Sequence, residues 1–159
     1  MSADEQSMRR VTAIRNGTVI DHIPGGMVLQ ALRIFNVDGR QSNPISLVMN
    51  VPSGKLGTKD ILKIEDRELT QDELDRLALI APMASVSIIR NYSVAEKLTI
   101  QLSDEMINVA HCIYSNCISN SVREPLPHRL KVLSTTPMIL QCHYCARNQN
   151  LERLIENLL

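Results

Sequence analysis

Apolar and polar residues change period repeatedly along the first two-thirds of the chain, and the changes mark out its elements. Residues 11–15 read as a short strand, with Asn16 and Gly17 as a turn, and residues 18–22 continue extended as far as Pro24. Beyond that proline, Val28, Ala31, Leu32 and Phe35 recur at helical spacing and predict an amphipathic helix closed at Asp38 and Gly39. Ile45, Leu47, Met49 and Val51 alternate as a strand does, residues 52–54 turn the chain, and residues 60–65 form a shorter strand. Thr70 and Glu73 have capping-box spacing, so a helix begins there. Leu74, Leu77, Ala78 and Ala81 form its buried stripe, and Pro82 stops it. Residues 85–90 and 94–100 complete the series as strands. The β-α-β-β-α-β order predicts a ferredoxin-like, split-βαβ domain with an antiparallel sheet, hence an α+β fold.

After residue 100 the pattern weakens. Residues 101–105 form a polar joint, followed by a Pro125-x-Pro127 loop and four cysteines. Leu151, Leu154, Ile155 and Leu158 then show helical spacing fit for a short docking helix. The organisation expected is a flexible polar start over residues 1–8, a first domain over 9–100, and a small β-rich four-cysteine domain over 101–159.

Composition narrows the function. The 159 residues are 44% hydrophobic, as in a globular protein. Phe35, Tyr92, Tyr114 and Tyr144 are the only aromatic residues of the Phe, Trp and Tyr class, so any core rests on aliphatic side chains and methionine. Seventeen basic and seventeen acidic residues cancel, which argues against binding that relies on a basic excess, whether to nucleic acid or to a membrane surface. Residues 1–10 contain no apolar core of a signal peptide, and no apolar run approaches the ~20 residues of a membrane span. A cytoplasmic protein is expected.

All four cysteines lie late in the chain, as Cys112-x4-Cys117 and Cys142-x2-Cys145 separated by 24 residues. In a reducing compartment this clustering favours metal ligation over disulfides. Four thiolates suit tetrahedral zinc, and a filled shell leaves no position for water or substrate, so the ion would be structural. It would also clamp a module too small to hold itself by apolar burial. His111 and His143 are expected as solvent-exposed neighbours of the ligands. No His-x-Glu motif accompanies them, as a zinc deaminase would need.

Other candidate chemistry is sparse. Residues 52–59 superficially resemble a phosphate loop but lack its Gly-x4-Gly-Lys-Ser/Thr pattern and read as a glycine-rich hairpin. Asp21, His22, Lys63 and Lys97 lie on predicted strands, where lone charges usually face solvent, and spacing alone does not assemble them. No nucleophile–base pair stands out, so no catalytic residue is assigned.

Several stretches taken together resemble the regulatory chain of aspartate carbamoyltransferase. These are residues 17–24 (GTVIDHIP), Pro52-Ser53-Gly54 with Lys59-Asp60 and Lys63-Ile64-Glu65, and Leu77-Ala78-Leu79 with Ala81-Pro82. Asn91-Tyr92, Asn116-Cys117-Ile118-Ser119 and the four-cysteine frame complete the set. The resemblance runs in order from about residue 9 to residue 147. It implies an N-terminal allosteric domain that binds nucleoside triphosphates and a C-terminal zinc domain that docks on catalytic chains. Regulatory chains would pair as homodimers within a dodecamer of six catalytic and six regulatory chains. CTP and UTP would favour the less active state and ATP the more active one.

By position, the pocket implied uses Ala13, Ile14, Val19, Asp21, His22, Lys63, Ile89, Tyr92, Val94 and Lys97. Lys97 and His22 would face phosphates, Asp21 and Lys63 the ribose, and the backbone near Ile14 and Tyr92 the base. Lys59 would lie near a second nucleotide or its metal. The resemblance makes Cys112, Cys117, Cys142 and Cys145 the zinc ligands. Ser87 stands where the family's familiar members carry Asn, and Tyr114 replaces a polar residue between the first two cysteines. A zinc-ribbon nucleic-acid-binding protein and a small zinc hydrolase are the rival readings, to be separated by salt-dependent retention on nucleic acid and by chelator-sensitive turnover.

Overall fold

A computed structural model describes residues 13–54, 57–100, 102–123 and 125–159. The chain divides into two compact units, with the break after residue 101. The start expected at residues 1–8 and the first two residues of the strand expected at 11–15 lie outside the described residues.

The first unit contains β1 (Gly17–Pro24), α1 (Val28–Ile34), β2 (Ile45–Ser53), β3 (Gly57–Glu65), α2 (Gln71–Leu77), β4 (Ser85–Arg90) and β5 (Ser93–Thr99). The strands form one antiparallel sheet in the order β2-β3-β1-β4-β5. Its first four positions follow the predicted split-βαβ arrangement, and the β4–β5 hairpin adds a fifth strand at the edge. Residues 13–15 are not a strand, contrary to the sequence reading. Backbone bonds pin this segment instead, with Asp66 N–H donating to Asn16 O and Tyr92 N–H to Arg15 O, each at 2.9 Å.

Local chemistry explains the helix ends. At α2, the Thr70 hydroxyl accepts from Glu73 N–H while Glu73 Oε1 accepts from Thr70 N–H at 3.2 Å, completing the predicted capping box. Helix α1 stops earlier than Asp38-Gly39. Asn36 turns left-handed at φ 56°, and Val37 N–H donates to Leu32 O at 2.8 Å, a Schellman closure that asparagine tolerates. The α1 entry is held by buried Asp60, whose carboxylate accepts backbone N–H bonds from Gly26, Val28 and Asn50.

The sheet has two unlike faces. Thr18, Ile20, Leu62, Ile64, Val86 and Ile88 alternate onto one face and are all buried. Thr18 Oγ1 donates to Arg67 O at 2.7 Å and accepts from Leu69 N–H at 3.1 Å, which ties that face to the chain entering α2. Buried Val28, Ala31, Ile34, Leu74 and Leu77 of the two helices complete this core. The other face carries a smaller apolar cluster of Ile14, Val19, Ile61 and Ile89, with Val48 against it.

The second unit contains β6 (Glu105–Ile107), β7 (Arg129–Thr135), β8 (Met138–Cys142), β9 (Asn148–Gln149) and α3 (Leu151–Ile155). The strands form a sheet in the order β6-β7-β8-β9. Asn150 caps α3 by accepting Arg153 N–H at 3.0 Å, while Leu154 and Ile155 turn inward. The helix predicted from the tail spacing is therefore present but ends before Leu158, and of its apolar stripe Leu154 and Ile155 are buried. The β7–β8 turn contains the one cis peptide among the described residues, Thr136–Pro137. No helix among the described residues is long and apolar enough to cross a membrane.

Candidate functional site

The helix-free face of the first unit gains its polar character from a fault in β1. Ile20 pairs with Leu62 and Ile23 with Asp60, so Asp21 and His22 together oppose only Ile61. His22 takes a left-handed φ of 60°, as a β-bulge requires. Successive residues on a regular strand point to opposite faces. The bulge overrides that rule, so both side chains line the same cleft. His22 N–H donates to Asp21 Oδ1 at 2.6 Å, and His22 Nδ1 lies 3.3 Å from Ser85 Oγ on β4.

Register builds the remainder. Lys63 pairs with Val19, Val19 with Ser87, and Ser87 with Lys97, giving one cross-strand row over β3, β1, β4 and β5. A cleft of about 370 Å³ opens beside this row, lined by Val19, Asp21, His22, Ser85, Ser87, Lys97 and their neighbours. Four of the ten residues implied for the pocket, Val19, Asp21, His22 and Lys97, therefore meet there. Spacing alone could not assemble them because strand pairing is non-local.

The other six have definite places. Ile14 and Ile89 pack with Val19 in the apolar cluster, and Val94 pairs with Ile89 across the edge. Ala13 precedes Ile14 on the pinned segment and is exposed. Tyr92 is 70% exposed at the β4–β5 turn, and its N–H is already committed to Arg15 O. Lys63, which the alternation rule places toward solvent, is buried within the sheet face. Burial lowers its pKa from the ordinary lysine value, and the nearby Asp21 carboxylate opposes that shift.

Lys59 is the residue whose position sequence reasoning did not anticipate. Its side chain is fully buried, with Nζ at 3.0 and 3.2 Å from the two Asp21 oxygens. No local pattern marks such a lysine, since its burial follows from the bulge that turns Asp21 toward it.

In the second unit the four cysteine sulfurs lie within 4.8 Å of one another. Cys112 and Cys145 approach to 3.8 Å and Cys117 and Cys142 to 3.7 Å. Tetrahedral thiolates about 2.3 Å from a zinc-sized ion would be spaced by about 3.8 Å, so the donor set fits a tetrahedral metal. The thiols are free rather than joined in disulfides.

Each sulfur also has a donor aimed at it. Gln149 Nε2 reaches Cys112 at 3.4 Å, and Ser119 Oγ lies 3.1 Å from Cys117. The backbone N–H groups of Tyr144 and Cys145 serve Cys142, and those of Arg147 serve Cys145 together with the Arg147 side chain. Burial pushes the Cys112 thiol up to about 12. Burial also opposes ionisation of Cys145, but the Arg147 backbone and side-chain bonds bring that thiol down to about 7.

Neither nearby histidine is a solvent-exposed bystander. His143 is half-buried with Nε2 at 3.2 Å from Arg129, and His111 stacks edgewise on His128 at 4.4 Å between ring centroids. They serve packing within a module that has few large apolar groups.

A sheet unit with a polar cleft on its helix-free face, followed by a module with four cysteines positioned for one ion, defines a two-domain metal-binding protein. Residues 9–101 match the family described as aspartate carbamoyltransferase regulatory chain, allosteric domain. Residues 104–155 match that chain's metal binding domain. The chain belongs to the aspartate carbamoyltransferase regulatory chain family.

Relatives bearing that name are similar along almost their whole lengths. The one from Methanothrix thermoacetophila is 45% identical over 150 residues, covering 94% of this chain and 96% of the relative. The one from Korarchaeum cryptofilum is 43% identical over 148 residues, covering 93% and 94%. That from Hyperthermus butylicus is 44% identical over 148 residues, covering 93% and 92%. Their names make them regulatory chains, which agrees with a non-catalytic subunit.

Proposed function

We propose that this chain is the nucleotide-sensing regulatory subunit of an aspartate carbamoyltransferase in the cytoplasm. In this reading it binds nucleoside triphosphates on the helix-free face of its first unit and associates with catalytic chains through a zinc-held second unit. The cross-strand row of Lys63, Val19, Ser87 and Lys97 beside the bulged Asp21-His22 pair carries the reading. A polyphosphate needs cations converging on one cleft, and a ribose needs a carboxylate acceptor for its hydroxyls. Lys97 and His22 take the phosphates, Asp21 and Lys63 the ribose side, and the backbone around Ala13, Ile14 and Tyr92 the base. Ile89 and Val94 extend the apolar floor. The unit boundaries belong to the same reading: residues 9–100 sense the nucleotide and residues 101–159 dock.

Zinc is the ion that four thiolates without an open position suit best. Cys112, Cys117, Cys142 and Cys145 hold it, and its role is to fold the module. The regulatory mechanism is linkage. An effector acts only by binding the less and more active assemblies with different affinities, and thereby shifts their balance. CTP, with UTP, favours the less active assembly and ATP the more active one. The assembly joins homodimers of this chain to catalytic chains, six of each.

Reconstitution with the matching catalytic chains tests this. CTP should lower and ATP raise activity at subsaturating aspartate, and both responses should disappear when catalytic chains are assayed alone. Identical activity with and without the regulatory chain at every nucleotide concentration would contradict the proposal.

A further inference from the structure

Arg147 occupies a place in the second unit that neither the ligand set nor the family match assigns. It follows the second cysteine pair by two residues, yet its guanidinium packs against the loop of the first pair. The guanidinium carbon lies 4.0 Å from the Tyr114 ring centroid, and Nη2 donates to Asn116 Oδ1 at 2.8 Å. The same side chain bonds the Cys145 sulfur. Arg147 O also accepts Cys142 N–H at 3.0 Å and Gln149 Nε2 at 3.1 Å, the amide that in turn reaches Cys112. One residue thus joins both cysteine loops without using the metal.

Charge gives that bridge a second effect. Four thiolates around a divalent ion form a cluster with net negative charge, and Cys112, Cys117 and Cys142 are buried. A buried anion is costly unless a cation or donors compensate it. Arginine suits the task because its planar fork can stack on an aromatic face while donating in plane.

We infer that Arg147 is a positioning residue for the metal: it locks the two cysteine loops together, offsets the charge of the thiolate cluster, and so governs how slowly the ion is released. This rests on the metal reading above. Groups that orient or charge-compensate ligands typically change metal affinity by about ten- to a hundredfold when removed.

The test uses the full zinc-loaded chain, with metal content measured first and release to an excess of chromogenic chelator followed by absorbance. Arg147→Met should release zinc at least about tenfold faster than the parent, with Arg147→Lys in between. In the cobalt-substituted protein, the sulfur-to-cobalt charge-transfer band of Arg147→Met should move to longer wavelength. A cation beside a donor sulfur lowers the energy of its electrons, and removing that cation narrows the gap. Arg147→Lys should restore part of the shift, which a purely packing role would not do.

Tyr114→Leu keeps the charge but removes the ring that aligns it, and carries the test should Arg147→Met fail to load metal. Faster release from Tyr114→Leu supports the assignment. Release within about twofold of the parent, with an unshifted band in metal-loaded Arg147→Met, overturns it. A parent chain that holds no metal overturns the metal reading and this inference together.

Discussion

Asp21 and Lys59 form an ion pair at 3.0 Å in which the ammonium is fully buried and the carboxylate reaches the edge of the cleft. The lysine comes from β3 and the aspartate from the bulge in β1, so the pair fastens the fault in one strand to its neighbour. Asp21 also accepts His22 N–H, which links the fastening to the orientation of the histidine.

Removing one partner of a buried pair exposes the desolvation cost of the other, typically about 3–5 kcal/mol. Asp21 is partly solvated, so Asp21→Ala should fall near the low end, about 3 kcal/mol. Denaturant unfolding followed by circular dichroism measures it. A loss within about 0.5 kcal/mol, the scale of an ordinary surface substitution, would show that the pair contributes little to the sheet.

The capping box at α2 predicts a smaller and local effect. Thr70→Ala removes the acceptor of Glu73 N–H and should lower stability by about 1 kcal/mol. Thr70→Asp should retain most of it, because aspartate caps equally well. Thermal melts of the two variants separate loss of the cap from a general intolerance at this position.

Metal removal should act on one unit. The second unit's core is small, with Met106, Leu130, Leu140 and Leu154 among its few large buried groups, so in the proposed reading it should need the ion to fold. Complete chelation should make residues beyond about 102 sensitive to limited proteolysis and abolish association with catalytic chains. The first unit should stay resistant. Acid should do the same, because protons compete with the metal for the thiolates. Normal association after verified metal loss would contradict this.

Lys63 predicts a pH dependence. Burial lowers its folded pKa below the unfolded value of 10.5, with Asp21 opposing. Its charged form is therefore disfavoured in the fold at neutral pH, and that cost is relieved as pH rises through the folded pKa. Binding of a polyanion favours the ammonium, so triphosphate affinity should fall as pH rises through this lowered pKa, before 10.5 is reached. Lys63→Gln should bind more weakly at neutral pH and show a flatter alkaline limb in a fluorescence or calorimetric titration.

Legibility in the sequence followed the range of the interactions. The capping box of Thr70 and Glu73, the strand alternation of residues 85–90 and the cysteine frame are all local patterns, and each located its feature. The left-handed closure at Asn36 was missed because asparagine serves many turn types, leaving Asp38-Gly39 as the stronger signal. The apparent strand before Asn16 failed for another reason: Ile14 is apolar because it packs beneath the sheet, not because it belongs to it. The cleft was hidden from local pattern, and its residues were named by the resemblance alone. A bulge at Asp21-His22 and a register that aligns Lys63 with Lys97 arise only from pairing between distant segments. Arg147 was equally unmarked, since its partners Tyr114 and Asn116 lie some thirty residues earlier in the chain.

The most direct measurement is a calorimetric titration of the zinc-loaded chain with CTP and then ATP, with Lys97→Ala alongside. Saturable, mutually competitive binding that collapses in the variant, whose fold is unchanged by circular dichroism, is the result predicted. A folded, zinc-loaded chain that binds neither nucleotide would contradict the effector site and leave the second unit as an assembly device alone.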